Sequence, residues 1–149
     1  MLPPPGRVLA HGPDAVLLEE IETLGPGTLV ASAVVRPGTP FSAADGSLGS
    51  WAGPELMAQA VSAFANLEAG ADREPSIGLL LGVRDYRCNV EGFGRDSRLC
   101  VEVVESSRDE EGRGVFDCRI LDAGRVLAAG RLTVFRPHDP WAALGGQIG

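Results

Sequence analysis

The segment that most limits how this chain can fold is residues 54–69, PELMAQAVSAFANLEA, where apolar side chains fill all but one narrow stripe as far as Leu67. Pro54 at the first helical position and Gly70 just past the end give the usual asymmetry of a helix. Glu55, Gln59, Ser62 and Asn66 recur at spacings of four, three and four, which at 100° per residue gathers them within an arc of about 60°. A helix that is apolar over roughly three quarters of its circumference has to be buried. Glu55 heads its single polar stripe.

The flanking sequence has the period of strands. Gly25-Pro26-Gly27 marks a turn, and the small and β-branched residues 28–35 follow as a strand. Residues 77–83, extending to about Tyr86, and then 99–104, 115–121 and 126–135 supply four more. Turn residues at 109–114 and 122–125 make the later strands an antiparallel meander. Residues 36–53 form a loop of about 18 residues, a length that compact domains usually reserve for function. The first six residues, with three consecutive prolines, are expected to wrap over the surface without forming a helix. Together with the tail at 137–149 they are expected to be loosely held. The whole reads as a single α+β domain over 1–149 with its core at about 9–136, a curved antiparallel sheet wrapped around one central helix. One helix cannot cover both sheet faces, so the architecture predicts a dimer.

Composition narrows the partners. A net charge of -7 with pI near 4.8 argues against nucleic acid, since phosphate binding needs clustered Lys and Arg. There is no membrane-length apolar run and no signal-peptide pattern at the start, which predicts a cytoplasmic protein. Cys88, Cys100 and Cys118 suit neither a disulfide framework nor a metal site, and are expected to be reduced core thiols.

Three segments resemble the hotdog-fold 3-hydroxyacyl-acyl-carrier-protein dehydratases. Leu9-Ala10-His11 through Leu17-Leu18-Glu19-Glu20-Ile21 is similar to the family's opening pattern. Pro54-Glu55-Leu56-Met57-Ala58-Gln59-Ala60 is similar to its central-helix signature, with an acid four residues before a Gln. Gly78 to Gly82, then Gly94-Arg95-Asp96 leading into residues 99–103, resemble the strand pair that follows. The Gly46-Ser47-Leu48-Gly49-Ser50-Trp51 approach is most like the branch associated with aryl polyene synthesis.

The resemblance implies a hotdog fold and elimination of water from a 3-hydroxyacyl thioester. That reaction needs a base for the C2 proton, an acid for the leaving hydroxyl, and donors for the thioester oxygen. The family gives the first two roles to a histidine and a carboxylic acid, and the third to the N-terminus of the buried helix. Here Glu55 stands in the acid's place. The loop Gly38-Thr39-Pro40-Phe41-Ser42, however, lacks the family's Gly-His-Phe-Pro-Gly histidine, with Thr39 nearest its position. Thr39, Trp51, Gly53 and Gln59 are the expected substrate contacts. Gln59 reads equally as a group orienting Glu55, a tunnel lining or a buried amide, and Trp51 reads first as a packing anchor. His11 and His138 are expected to make local hydrogen bonds, not to act in catalysis.

Arg84, Arg87, Arg95 and Arg98 form the chain's densest basic cluster, a candidate contact for an acidic acyl carrier protein or a phosphopantetheine phosphate. A solvated strand face is the alternative. The resulting expectation is a dehydratase-like subunit, weak or partner-dependent without the usual histidine, acting on acyl groups carried by phosphopantetheine of a carrier protein or coenzyme A. It needs no metal or other cofactor, and pairs with itself or with a related hotdog subunit. The alternatives are a hotdog thioesterase using Glu55 and a non-catalytic acyl-binding subunit.

Overall fold

A computed structural model describes residues 2–70 and 79–135. One helix, α2 (Gly53–Ala69), lies against a six-stranded antiparallel sheet. The strands are β1 (Glu20–Gly25), β2 (Thr28–Val34), β4 (Leu79–Cys88), β6 (Arg98–Arg108), β7 (Arg113–Asp122) and β8 (Arg125–Phe135), in the spatial order β1-β2-β6-β7-β8-β4. A second, two-stranded ladder joins β3 (Leu48–Gly49) to β5 (Gly92–Phe93) beside the helix entrance. No helix among the described residues is long and apolar enough to cross a membrane.

The expected helix and the strands after the first turn form with small shifts at their ends, whereas the early apolar run at 16–20 is mostly irregular and the first strand is β1, which runs directly into that turn. Gly27, with φ +68°, turns β1 into β2. Ala123 and Gly124, both at positive φ, close the β7–β8 hairpin. The meander holds for β6, β7 and β8 but not for β4, which crosses over to the far side of β8. Within the loop at 36–53, β3 and a 3-10 turn, Ser50–Ala52, run directly into α2.

The N-terminal expectation is corrected. Residues Pro5–Val8 form a one-turn helix, α1, in which Pro5 takes the first position, where a missing N–H costs nothing. Pro5 and Val8 are buried, so this end packs onto the core. The tail at 137–149 lies outside the described residues.

Small side chains do let helix and sheet approach closely. Ala31, Ala33, Ala52, Ala60, Ala63 and Ala128 are all buried, and Phe64 on α2 meets Phe116 on β7 edge-to-face at 5.6 Å. The cysteines are less uniform than expected. Cys118 is buried, and burial pushes its thiol up to about 12, whereas Cys88 and Cys100 are half-buried. Cys100 alternates with buried Leu99 and Val101, on the outer side of β6.

Candidate active site

The polar stripe of α2 does what its burial requires, which is to bond the chain segment laid across it. Gln59 is fully buried. Its Oε1 accepts the Leu17 N–H at 2.9 Å, and its Nε2 donates to the Ala15 carbonyl at 2.7 Å and to Glu55 Oε1 at 3.0 Å. Further along the helix, Asn66 Nδ2 donates to the Val8 carbonyl at 2.6 Å. The two amides therefore pin the lead-in segment at Val8 and again at residues 15–17. Of the readings open for Gln59, the structure joins two, a satisfied buried amide and a partner of Glu55.

Between those anchors, the segment carries His11 to the helix entrance, where its Nε2 lies 3.5 Å from Glu55 Oε1. This corrects the expectation of a local hydrogen-bonding role. His11 Nδ1 is buried and has no hydrogen-bond partner among the described residues. Sequence reasoning missed the pairing because His11 and Glu55 are brought together only by tertiary contacts. The signal that pointed to it was the polar stripe itself, which needs buried partners from another segment. His138 lies outside the described residues.

The Glu55 side chain is 30% exposed, so its carboxyl stands at the boundary between core and solvent. No side chain caps α2, whose N-terminal dipole faces the same region. Beside it a cleft of about 250 Å³ runs between the lead-in and the end of β2, lined by Leu17, Ala33, Val35, Thr39, Leu48 and Leu56 among others. Arg36 and Glu19, both on its wall, form an ion pair.

The other expected contacts separate. Thr39 lines the cleft, but its hydroxyl is engaged with Ser42 Oγ at 2.6 Å and accepts the Phe41 N–H. Trp51 stays 65% exposed, its indole lying over Gly49 and its ring 6.3 Å from that of Phe41, with much of its surface free. Gly53 is buried under Tyr86, whose hydroxyl occupies the space a β-carbon would need.

Tyr86 arrives there through a bulge. The β4–β8 register shifts between Arg84 and Arg87, with Asp85 at φ +54°, which brings Tyr86 against Gly130 and the helix entrance. Its hydroxyl donates to the Ser50 carbonyl at 2.6 Å, and burial raises its pKa far above the ordinary phenol value.

The arginine cluster also divides. Arg84 and Arg87 are exposed on the edge strand β4 and have no ion pair among the described residues. Arg95 lies over Gly46 in the helix-approach loop. Arg98 is on β6, toward the opposite edge of the sheet, within 4.0 Å of Glu20 and 3.7 Å of Glu22, and donates to Ser32 Oγ. Its guanidinium thus lies among acidic side chains on an exposed strand face.

An antiparallel sheet wrapped on one buried helix defines a hotdog-fold protein. The chain belongs to the ApeP dehydratase family, whose model matches residues 3–145. It is similar to a chain of the dehydratase heterocomplex ApeI:P from Xenorhabdus doucetiae, at 30% identity and a TM-score of 0.87, with 100% of this chain and 99% of that one covered. Two more distant structures share the fold. One is a point mutant of the phenylacetic acid degradation protein PaaI from Thermus thermophilus (19% identity, TM-score 0.59, 78% of this chain and 91% of that one). The other is a point mutant of the thioesterase SAV0944 from Staphylococcus aureus (21%, 0.60, 78% and 90%). No curated protein sequence matches the chain significantly.

Proposed function

We propose that this chain is a subunit of a 3-hydroxyacyl-thioester dehydratase that works on acyl groups carried by phosphopantetheine, with Glu55 as the general acid. The observation that carries the reading is the placement of Glu55. It sits in the first turn of the one buried helix, held by the Gln59 amide, partly open to solvent and next in sequence to Leu56, which lines a cleft of mixed polar and apolar walls. In the reaction a base takes the C2 proton, the electron pair left behind forms the C2=C3 bond, and the C3–O bond breaks. Glu55 gives its proton to the departing oxygen, which leaves as water. Positive charge at the start of α2 favours the negative charge that builds on the thioester oxygen.

The loop at 38–42 contains no imidazole, and in this reading a second hotdog subunit supplies the C2 base. Support for such a partner is the unpaired outer side of β4, where Leu80, Leu81 and Val83 are exposed, together with the heterocomplex in which the similar Xenorhabdus chain occurs. Arg84, Arg87 and Arg95 remain candidate contacts for an acidic carrier protein. Aryl polyene synthesis is the pathway class favoured by the family.

The test is product identity. The full chain, alone and with a co-expressed hotdog partner, is given 3-hydroxybutyryl-pantetheine and the same acyl group on a carrier protein. An enoyl thioester formed by the pair and weakly or not at all by the chain alone supports the reading. Release of free 3-hydroxy acid makes the protein a thioesterase, and binding without product makes it an acyl-binding subunit.

A further inference from the structure

His11 is the one imidazole among the described residues, and nothing in the fold's own hydrogen bonding accounts for it. A histidine kept for local structure ordinarily spends a ring nitrogen on a backbone group. Here Nδ1 is buried with no hydrogen-bond partner among the described residues, and Nε2 lies 3.5 Å from Glu55 Oε1. The segment that bears His11 is also fixed on both sides by amides of the helix that bears Glu55, through Asn66 to Val8 and through Gln59 to Ala15 and Leu17. The ring therefore stands beside Glu55 on an anchored backbone, at ion-pair distance. Catalytic contacts of this kind are often long or poorly aligned before substrate arrives and become hydrogen bonds when it does.

We infer that His11 is a positioning residue for Glu55: with Gln59 it holds the carboxyl by Oε1, so that Oε2 is the oxygen that carries the transferable proton. This rests on the dehydratase reading above. Gln59 Nε2 already donates to Oε1 at 3.0 Å, and His11 Nε2 approaches the same atom. A carboxylic acid carries its proton on one oxygen, and once both N–H groups donate to Oε1 there is no room for a third hydrogen there. Oε2 has no partner among the described residues and stays free for the substrate hydroxyl. A neutral ring protonated on Nε2 makes this contact while leaving Nδ1 bare, so that no buried N–H is stranded. In the transfer the Oε2–H bond breaks, the proton passes to the substrate's 3-hydroxyl oxygen and the C3–O bond cleaves. His11 neither gains nor loses a proton.

The chain has 2 histidines, so His138→Asn leaves a single imidazole whose nitrogens are read directly by ¹H–¹⁵N NMR of the full chain. The expected spectrum is the Nε2–H tautomer, with the Nε2 resonance displaced by Glu55→Gln. In the complex with its hotdog partner and 3-hydroxybutyryl-pantetheine, His11→Ala should lower kcat by up to about 10²-fold, the cost of a misplaced reacting group. KM should hold, and His11→Gln, which returns an N–H near the Nε2 position, should restore part of the rate. An Nε2 resonance indifferent to Glu55→Gln overturns the proposal. So does an unchanged kcat in His11→Ala when Glu55→Gln abolishes turnover, a result that leaves the dehydratase reading standing. Dehydration that survives Glu55→Gln instead removes the reading on which the proposal rests.

Discussion

Replacing Gln59 with leucine keeps the volume of the side chain and removes only its hydrogen bonds, so its cost is readable from the geometry. The amide is fully buried and serves three partners: the Leu17 N–H, the Ala15 carbonyl and Glu55 Oε1. Stranding the two backbone groups costs about 1–3 kcal/mol each. Glu55 is partly exposed and can turn to water, so its lost bond adds little. Burying a leucine where an amide stood returns roughly 1–2 kcal/mol, which leaves a net loss of about 0–5 kcal/mol with its centre at about 2.5. Urea unfolding at a fixed protomer concentration measures it, with an unchanged m-value showing that stability alone has moved. Amide hydrogen exchange localises it, because Leu17 should lose protection while β6 and β7 keep theirs. A midpoint shift worth less than about 0.3 kcal/mol, with Leu17 still protected, would refute the claim that Gln59 fastens the lead-in to the helix.

Three further outcomes follow from particular contacts. Gly53→Ala drives a β-carbon into the Tyr86 hydroxyl and should cost about 1–3 kcal/mol. Tyr86→Leu in the same chain should recover part of that, so calorimetry of the double-mutant cycle should show strong coupling. Reversing charge at Arg84 and Arg87 should slow carrier-protein association in a salt-dependent way, whereas Arg98→Glu, in the exposed ion pairs with Glu20 and Glu22, should leave association unchanged. Surface plasmon resonance at two salt concentrations separates them, and equal effects would place Arg98 in the docking face after all. Burial raises the Cys118 thiol from 9.0 to about 12, so the unfolded chain loses that proton first. Its contribution to stability is full below pH 9 and is lost as pH rises toward 12, which makes the unfolding midpoint of Cys118→Ala fall less steeply with alkaline pH than that of the parent.

What the sequence shows most clearly is what local periodicity controls. The stripe from Glu55 to Asn66 marked α2 and its burial, Gly25-Pro26-Gly27 marked the first hairpin, and alternation marked β6 to β8. The features that were hidden depend on contacts between distant residues. β3 and β5 have two residues each, too few for a period, and exist because Leu48 meets Phe93. The β4 bulge is a local irregularity whose effect, turning Tyr86 onto Gly53, is invisible without the facing strand. Pro5 could begin a helix because the first position needs no N–H, a possibility the three prolines obscured. Within the site, Glu55 and Gln59 were legible from their i, i+4 spacing. His11 was not, because its approach to Glu55 depends on where Gln59 and Asn66 pin an irregular segment. The arginines looked like one cluster in sequence, but Arg98 opens β6 on the β2 side of the sheet while Arg84 lies on the far edge.

The central claim is that Glu55 supplies the proton that leaves with the substrate hydroxyl. The most direct measurement is single-turnover mass spectrometry of 3-hydroxyacyl-carrier protein mixed with the complex of this chain and its hotdog partner, comparing the parent with Glu55→Gln. The account predicts loss of one water from the acyl group in the parent. In a folded Glu55→Gln complex of unchanged carrier affinity, the rate should fall by about 10²–10⁴-fold. Equal rates of water loss in the two complexes would contradict it.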